Sequence, residues 1–382
     1  MTSYSTDYPN PRSHGLVPQV PSATSSASDD APGKSMDERR TLKGRFVALV
    51  ARVAASGPWR RMAERLTCAV GHRFPGSRSV VSFCRHFGGR MLAREGARFA
   101  RVVTFDSGGQ MLCSGNDPVA ANCAMYYFLG TITNQDEDER PLARLLARVI
   151  REGDTFLDIG ANVGFYSLFA GPLCGPSGAV HAFEANPLLI QHLKRSADFN
   201  RPRANIVVNP VAIGSEGHKT LQLYDPERIG GSSLYQLEWL NTGNSVTVPM
   251  TTIDDYVREN RMTRVDVVKI DIEGAELDAF RGMQETLRTC PPAIILCELV
   301  LLLGRGNVPG SRLASHTRGG YAIEVMDFLA ARGYEARAIR EPDGLIAEVM
   351  RPGTMEHLAQ NLINVAFVRP DLKRARPELF CA

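Results

Sequence analysis

The sequence predicts a doubly wound α/β domain, with helices on both faces of a mostly parallel sheet. Three observations carry this. The run Thr155–Ile159 reads as a buried strand and leads directly into the glycine turn Gly160-Ala-Asn-Val-Gly164 and a helix start. Apolar strand-length runs and helix-length runs then alternate over about 220 residues, as crossovers between parallel strands require. Acids stand at the ends of three of those strands: Asp158, Glu184 and Asp271. The carboxyl ends of strands are where open parallel sheets bind ligands.

Composition sets the frame. The chain has 382 residues, 44% hydrophobic and 22% charged, with a net charge of +3. The eight cysteines include no C-x-x-C pair and no zinc spacing, which in a chain this long implies reduced thiols and a cytosolic setting. Apolar runs stay below the ~18 residues of a membrane span, and the start lacks the apolar core of a signal peptide.

Residues 1–35 are rich in Ser, Thr, Pro and Asp and read as a disordered tail. Residues 36–120 read as a basic helical and hairpin extension. Leu42–Ala55 has an apolar side and ends before Pro58, and Trp59–Ala69 forms a second short helix exposing Arg60, Arg61 and Arg65. Between 33 and 101 there are 16 Lys and Arg against 4 Asp and Glu. That excess suits a solvated cap, or peripheral contact of residues 36–100 with an acidic membrane surface. Nucleic acid is the less favoured partner for this segment. Phe99–Phe105 and Gln110–Cys113 pair as a hairpin across Asp106-Ser-Gly-Gly109.

The main domain is drawn at 121–370, followed by a tail, 371–382. It opens with helices over Ala121–Leu129 and from Pro141 to Ile150, the second with Leu142, Leu145, Leu146 and Val149 at helical spacing. After the glycine turn come helix Phe165–Leu173, strand Ala179–Phe183, a helix from Asn186-Pro187 and strand Asn205–Asn209. Thr220–Leu223 and Ser245–Pro249 then read as an inserted β-hairpin. The alternation resumes with helix Thr252–Arg258 capped by Thr252, strand Val265–Ile270 and a helix to about Leu287. Strand Ala293–Leu296, helix Ile323–Ala331 and strands Tyr334–Ile339 and Asn364–Val368 complete the chain.

The glycine turn alone suggests a dinucleotide, but G-x-G-x-x-G is absent. Asp158 before the turn repels a pyrophosphate and attracts an ammonium group. Glu184, ending the next strand, suits ribose hydroxyls. Together they point to an amino-acid nucleoside, S-adenosylmethionine. A nicotinamide oxidoreductase and a non-catalytic module binding the cofactor or a glycan are the competing readings.

Phe156–Ser167, Ala182–Pro187, Thr251–Asp255 and Val268–Glu276 resemble the FkbM family of S-adenosylmethionine-dependent methyltransferases, over about residues 125–300. The family usually has Pro at position 185 and often Thr at 167, where this chain has Ala185 and Ser167. The resemblance implies a Rossmann-like class I methyltransferase sheet with an antiparallel C-terminal hairpin. It implies O-methylation of a hydroxyl on a sugar, glycolipid, polysaccharide or secondary metabolite. It also implies that Asp158, Gly160, Ala161, Asn162 and Gly164 cradle the methionine end, that Glu184 holds the ribose, and that Asn209 and Val211-Ala212 lie near the adenine.

Methyl transfer to a hydroxyl needs an aligned acceptor and somewhere for its proton to go. Lys269, Asp271 and Glu273 alternate and share a face while the chain is extended, so Asp271 or Glu273 is the expected base or orienting group. The alternatives are a structural Lys269–Asp271 pair with Glu273 capping the next helix, or carboxylates holding Mg²⁺. No resident metal is expected. Glu298 and His316 are the reserve candidates, with residues 304–320 as a loop over the acceptor. His181 and His192 are expected to be packing or surface residues.

Overall fold

The computed structural model describes residues 49–51, 54–55, 60–74, 77–117, 119–129, 139–224, 244–300, 320–340, 343–351 and 362–381. The predicted tail 1–35, the start of helix 42–55, most of the hairpin linker and the loop containing His316 lie outside them. The described residues fall in one unit, Phe46–Ala382.

The first described elements are helices α1 (Arg60–Arg73) and α2 (Arg78–Glu95) and the antiparallel hairpin β1 (Ala100–Thr104) and β2 (Gln110–Ser114). Helices α3 (Ala120–Leu129) and α4 (Glu139–Val149) lead into β3 (Thr155–Ile159). Then follow α5 (Phe165–Cys174), β4 (Ala179–Phe183), α6 (Pro187–Asn200), β5 (Ile206–Asn209), β6 (Ala212–Ile213), β7 (Lys219–Tyr224), β8 (Ser245–Thr251) and α7 (Ile253–Glu259). The chain continues through β9 (Val267–Ile270), α8 (Glu276–Arg281), α9 (Gln284–Thr289) and β10 (Ile294–Val300). It closes with α10 (Gly320–Ala330), β11 (Glu335–Arg340), β12 (Leu345–Val349), β13 (Leu362–Val368) and α11 (Pro370–Ala375).

Eight strands form the main sheet in the order β12-β11-β13-β10-β9-β3-β4-β5. The neighbours from β5 to β10 are parallel, and β13 runs antiparallel between β10 and β11. A parallel sheet with an antiparallel strand near its C-terminal edge is the arrangement expected from the sequence, with β12 added at that edge. The inserted hairpin, β7 with β8, joins β6 in a separate three-stranded sheet. Among the described residues no helix is long and apolar enough to cross a membrane. All eight cysteines are free.

Alternation along each strand divides the core between the two faces. Phe156, Val267, Ile294 and Leu296 belong to one cluster, with Cys84, Phe87, Phe99 and Met111 from the N-terminal elements. Leu157, Val268, Ile270 and Ile295 face the other, with Phe280, Val325 and Leu329. The described part of the extension thus packs on one face of the sheet, in the same cluster as residues of the main domain. In the C-terminal tail, 371–382, the side chains of Leu372, Leu379 and Phe380 are buried.

Three further differences have local causes. The helix Arg78–Glu95 was not predicted. Gly88-Gly89 and the Val80-Val81 pair are poor helix formers, but Gly88 lets the Phe128 ring approach to 3.1 Å of where a Cβ would stand. The single helix predicted up to Leu287 is two, broken at Gly282. A Cβ there would lie 2.0 Å from the Gly214 carbonyl oxygen. The edge strand β12 was also missed, because exposed edge positions carry little apolar alternation. The predicted cap of α7 does form, with the Asp255 N–H donating to Thr252 Oγ1 at 3.0 Å.

Candidate active site

A cleft of about 670 Å³, its open mouth included, lies at the carboxyl ends of β3, β4 and β9, within the usual range for small-molecule sites. Gly160 and Asn162 line it from the first turn, Glu184 and Ala185 from the end of β4, and Leu189 from α6. Val211, Ala212, Ile213 and Leu223 form the side toward the inserted sheet. Asp271, Ile272 and Glu273 close the remaining side.

The glycine turn is held by sheet hydrogen bonds. The Gly160 and Ala161 N–H groups both donate to Phe183 O, at 3.0 and 2.9 Å, and Asp271 N–H donates to Ile159 O at 3.0 Å. Gly160 has φ +81°, and a Cβ there would meet Asp271 O at 1.8 Å. The close approach that requires this glycine is thus made by the neighbouring loop's backbone. Gly160→Ala should lose at least about 2 kcal/mol through strain and displacement of that loop. Thermal melting checks this, and a parental melting temperature would show that the approach is not tight.

Glu184 joins two turns. Its Oε2 accepts from Asn162 N–H and its Oε1 from Asn186 N–H, each at 2.7 Å. Burial pushes its carboxyl up to about 7, against the pull of those two N–H groups.

Behind the cleft runs a row of titratable groups on the face shared by Phe156 and Val267. Asp158 is fully buried and pairs in register with Lys269 on the adjacent strand. The Ser167 hydroxyl donates to Asp158 Oδ2 at 2.5 Å. Asp158 Oδ1 has no hydrogen-bond partner, nor has Asn162 Oδ1. Lys269 Nζ donates to Asp271 Oδ2 at 3.0 Å and sits 4.8 Å from the centre of the Tyr166 ring. Burial disfavours its charge, but the Asp271 and Asp158 carboxylates outweigh burial and hold it above the ordinary lysine range. Asp271 is hydrogen-bonded to Glu298 as well. Burial works against ionising Asp271, and Lys269 overrides it and holds the carboxyl low. Burial and the Asp271 charge drive Glu298 well above the carboxylate range, so the proton of this pair resides on Glu298. The Asp271 side chain is 31% exposed, against 5% for Lys269. Asp271 is therefore where this row reaches the cleft.

Of the residues named from sequence, Gly160, Asn162, Glu184, Ala212, Asp271 and Glu273 are brought together around the cleft. Asp158 and Lys269 stand buried behind it. Three residues expected at the cofactor, Ala161 and Gly164 in the cradle and Asn209 near the adenine, are not among those lining the cleft. Ala161 packs against Ala182 and Leu193, and Gly164, with φ +89°, leaves room for Leu193 of α6. The Asn209 amide turns back to Ala182 O at 3.3 Å, which leaves the cleft wall to Val211–Ile213.

Glu273 does not continue the strand face as expected. Strand β9 ends at Ile270, and Glu273 sits at φ +52°. Nor is it the organiser of the following turn. Glu276 is, accepting from Gly274 N–H at 3.0 Å and from the Tyr321 hydroxyl at 2.8 Å. The signal for Glu276 was an acid in the first turn of a helix, overshadowed by its neighbours. His192 is buried on Asp117 and Cys123, and His181 bonds the Tyr256 hydroxyl at 2.8 Å. Among the described residues no group of three or more His, Cys, Asp or Glu is arranged to hold a metal ion.

Residues 158–336 match the model of the Methyltransferase FkbM domain. Over those residues, just under half of its length, the chain is similar to that family. Curated relatives match at low identity. The hexuronic acid methyltransferase AglP of Haloferax volcanii is 28% identical over 151 residues, 40% of this chain and 59% of that protein. Methyltransferase 1 of Beauveria bassiana is 25% identical over 150 residues, 35% and 59% of the two chains. The 31-O-demethyl-FK506 methyltransferase FkbM of Streptomyces tacrolimicus is 25% identical over 163 residues, 36% and 62% of the two chains. The chain thus spans about three fifths of the length of these relatives. The family match begins at Asp158 and ends within β11, so the helices and hairpin before β3 lie outside it.

Proposed function

We propose that the chain is an S-adenosylmethionine-dependent O-methyltransferase acting on a hydroxyl of a sugar, a glycan or a secondary metabolite. One observation carries this reading: Glu184 and the Lys269–Asp271–Glu298 row converge on a single cleft at the carboxyl ends of β3, β4 and β9. The printed names of the relatives, one a hexuronic acid methyltransferase and another a 31-O-demethyl-FK506 methyltransferase, support a sugar or small-molecule acceptor.

The residues present fit the cofactor. A buried carboxylate oxygen on Asp158 and the Asn162 amide oxygen lack partners, and buried polar atoms are normally satisfied. Both can accept from donors at the amino-acid end. Gly160 and Asn162 would form the turn under that end, Glu184 would take the ribose hydroxyls, and Val211–Ile213 would flank the adenine. When bound, the cofactor supplies the methyl group and a sulfur leaving group. The same acid behind the turn disfavours the pyrophosphate of a nicotinamide dinucleotide.

The protein supplies alignment and a route for one proton. Lys269 keeps Asp271 ionised, so Asp271 accepts a hydrogen bond from the acceptor hydroxyl and fixes its direction. A carboxylate lowered this way is a weak base alone. Glu298, held above the carboxylate range, hydrogen-bonds Asp271 and lowers it further, so Asp271 acts mainly by orienting the hydroxyl and takes its proton only as the methyl transfers. Glu273, at the cleft edge, contacts the acceptor from the other side.

The acceptor class is tested by incubating the protein with methyl-labelled cofactor and an extract of its source cells. Label in a hydroxyl-bearing glycan or small molecule is expected, and label confined to protein or nucleic acid contradicts the reading.

Cofactor affinity should depend on pH through Glu184, because only the ionised carboxyl accepts from both ribose hydroxyls. Affinity should fall as pH drops through about 7, the free-state value, approaching ten-fold per unit. Calorimetry in buffers of different ionisation enthalpy should show about one proton released per ligand bound at pH 6. In the unliganded protein the same group favours folding below its ordinary value of 4.5, and this is lost as pH rises through about 7. Affinity that is flat from pH 6 to 8 would remove Glu184 from the ribose site.

A further inference from the structure

Helix α1 keeps its small apolar residues inside and turns its large ones outward. The side turned into the protein carries Glu64 and Thr67, 8% and 5% exposed. Glu64 accepts from Arg101 Nε at 2.5 Å and from the Tyr127 hydroxyl at 3.1 Å, and Ala63 and Cys68 pack on the core beside it. The side turned outward carries Met62, Leu66, Val70 and, just past the helix, Phe74, which are 60, 63, 40 and 54% exposed. Four-residue steps place them in one stripe. Of the eleven exposed large apolar side chains among the described residues, six lie between residues 49 and 74. The stripe is therefore a concentration and not a scatter.

Charge indicates what covers it. Arg61, Arg65 and Arg73 are exposed alongside the stripe, and α1 presents no acid on that side. The adjoining α2 exposes Arg85 and Arg90 in the same sequence region, again without an exposed acid. A two-fold contact with a second copy would set these arginines against their own kind. A nucleic acid would satisfy the arginines and leave four large apolar side chains in water. An anionic bilayer satisfies both, with the stripe at the acyl boundary and the guanidinium groups on lipid phosphates.

We propose that α1 is a membrane-docking helix that lays Met62, Leu66, Val70 and Phe74 into the surface of an anionic bilayer. The inference is independent of methyl transfer.

Flotation of the full chain tests it, using vesicles of phosphatidylcholine alone and of phosphatidylcholine mixed with phosphatidylglycerol. The parent should float with the mixed vesicles and only weakly with the neutral ones. Met62→Ser/Leu66→Ser/Phe74→Ser should lose binding to the mixed vesicles by ten-fold or more. Arg61→Gln/Arg65→Gln/Arg73→Gln should lose on the order of 100-fold there and little on neutral vesicles. Both variants should melt with the parent, because the substituted side chains are exposed. Three results would overturn the proposal: a parent that does not float with mixed vesicles, a serine variant that floats as the parent does, or a parent that binds single-stranded RNA but no vesicle. A parent that is dimeric by light scattering, becomes monomeric in the serine variant and fails to float would show that a second copy covers the stripe.

Discussion

Asp271→Asn should bind S-adenosylmethionine with parental affinity and turn over about 10²–10⁴-fold more slowly on the true acceptor. Asn keeps the size of Asp271 and can still accept from Lys269 Nζ, which now donates to Asp271 at 3.0 Å. It cannot take up the hydroxyl proton. Glu298→Gln should slow turnover less, because the amide can still donate to Asp271 and leaves it ionised. A purely structural Lys269–Asp271 pair predicts a different pattern. Breaking a buried pair costs about 3–5 kcal/mol of stability, and activity would then fall only in proportion to the unfolded fraction. Melting and turnover measured on the same samples separate the two. Parental turnover in Asp271→Asn would move the base to Glu273.

Glu184→Ala should weaken cofactor binding by ten-fold or more. A hydrogen bond to a charged group contributes about 1.5–3 kcal/mol, and this side chain also holds the Asn162 and Asn186 backbone N–H groups at 2.7 Å. The variant therefore loses both a ligand contact and the order of the turn. Asp158→Ala should weaken binding as well, and it should also melt lower. The Ser167 hydroxyl would lose its acceptor and Lys269 one of its two carboxylates. Titration calorimetry reads both affinities, and unchanged values in both variants would remove the site from this cleft.

The sheet was legible because its central strands are buried on both faces and therefore read as continuous apolar runs. Thr155–Ile159 and Ala179–Phe183 fall on the boundaries expected. The acids were legible for the opposite reason, as charges interrupting such runs. What the sequence hid depends on partners distant along the chain. The helix Arg78–Glu95 contains two glycines that weaken it locally, and Gly88 makes sense only against Phe128. Gly160 was legible as a turn residue, but the group that crowds it, the Asp271 carbonyl of another strand's loop, was not. The family resemblance implied Asn209 near the adenine, and its amide is used within the sheet. Periodicity shows which face a residue takes. It does not show which neighbour claims its polar atoms.

The central claim is that the cleft at the ends of β3, β4 and β9 binds S-adenosylmethionine. Titration of the unaltered full chain with S-adenosylmethionine and, separately, with NAD tests it most directly. One site per chain for S-adenosylmethionine is predicted, with NAD much weaker or without heat. Absence of S-adenosylmethionine binding near pH 8, where Glu184 is ionised, or tighter binding of NAD, would contradict it.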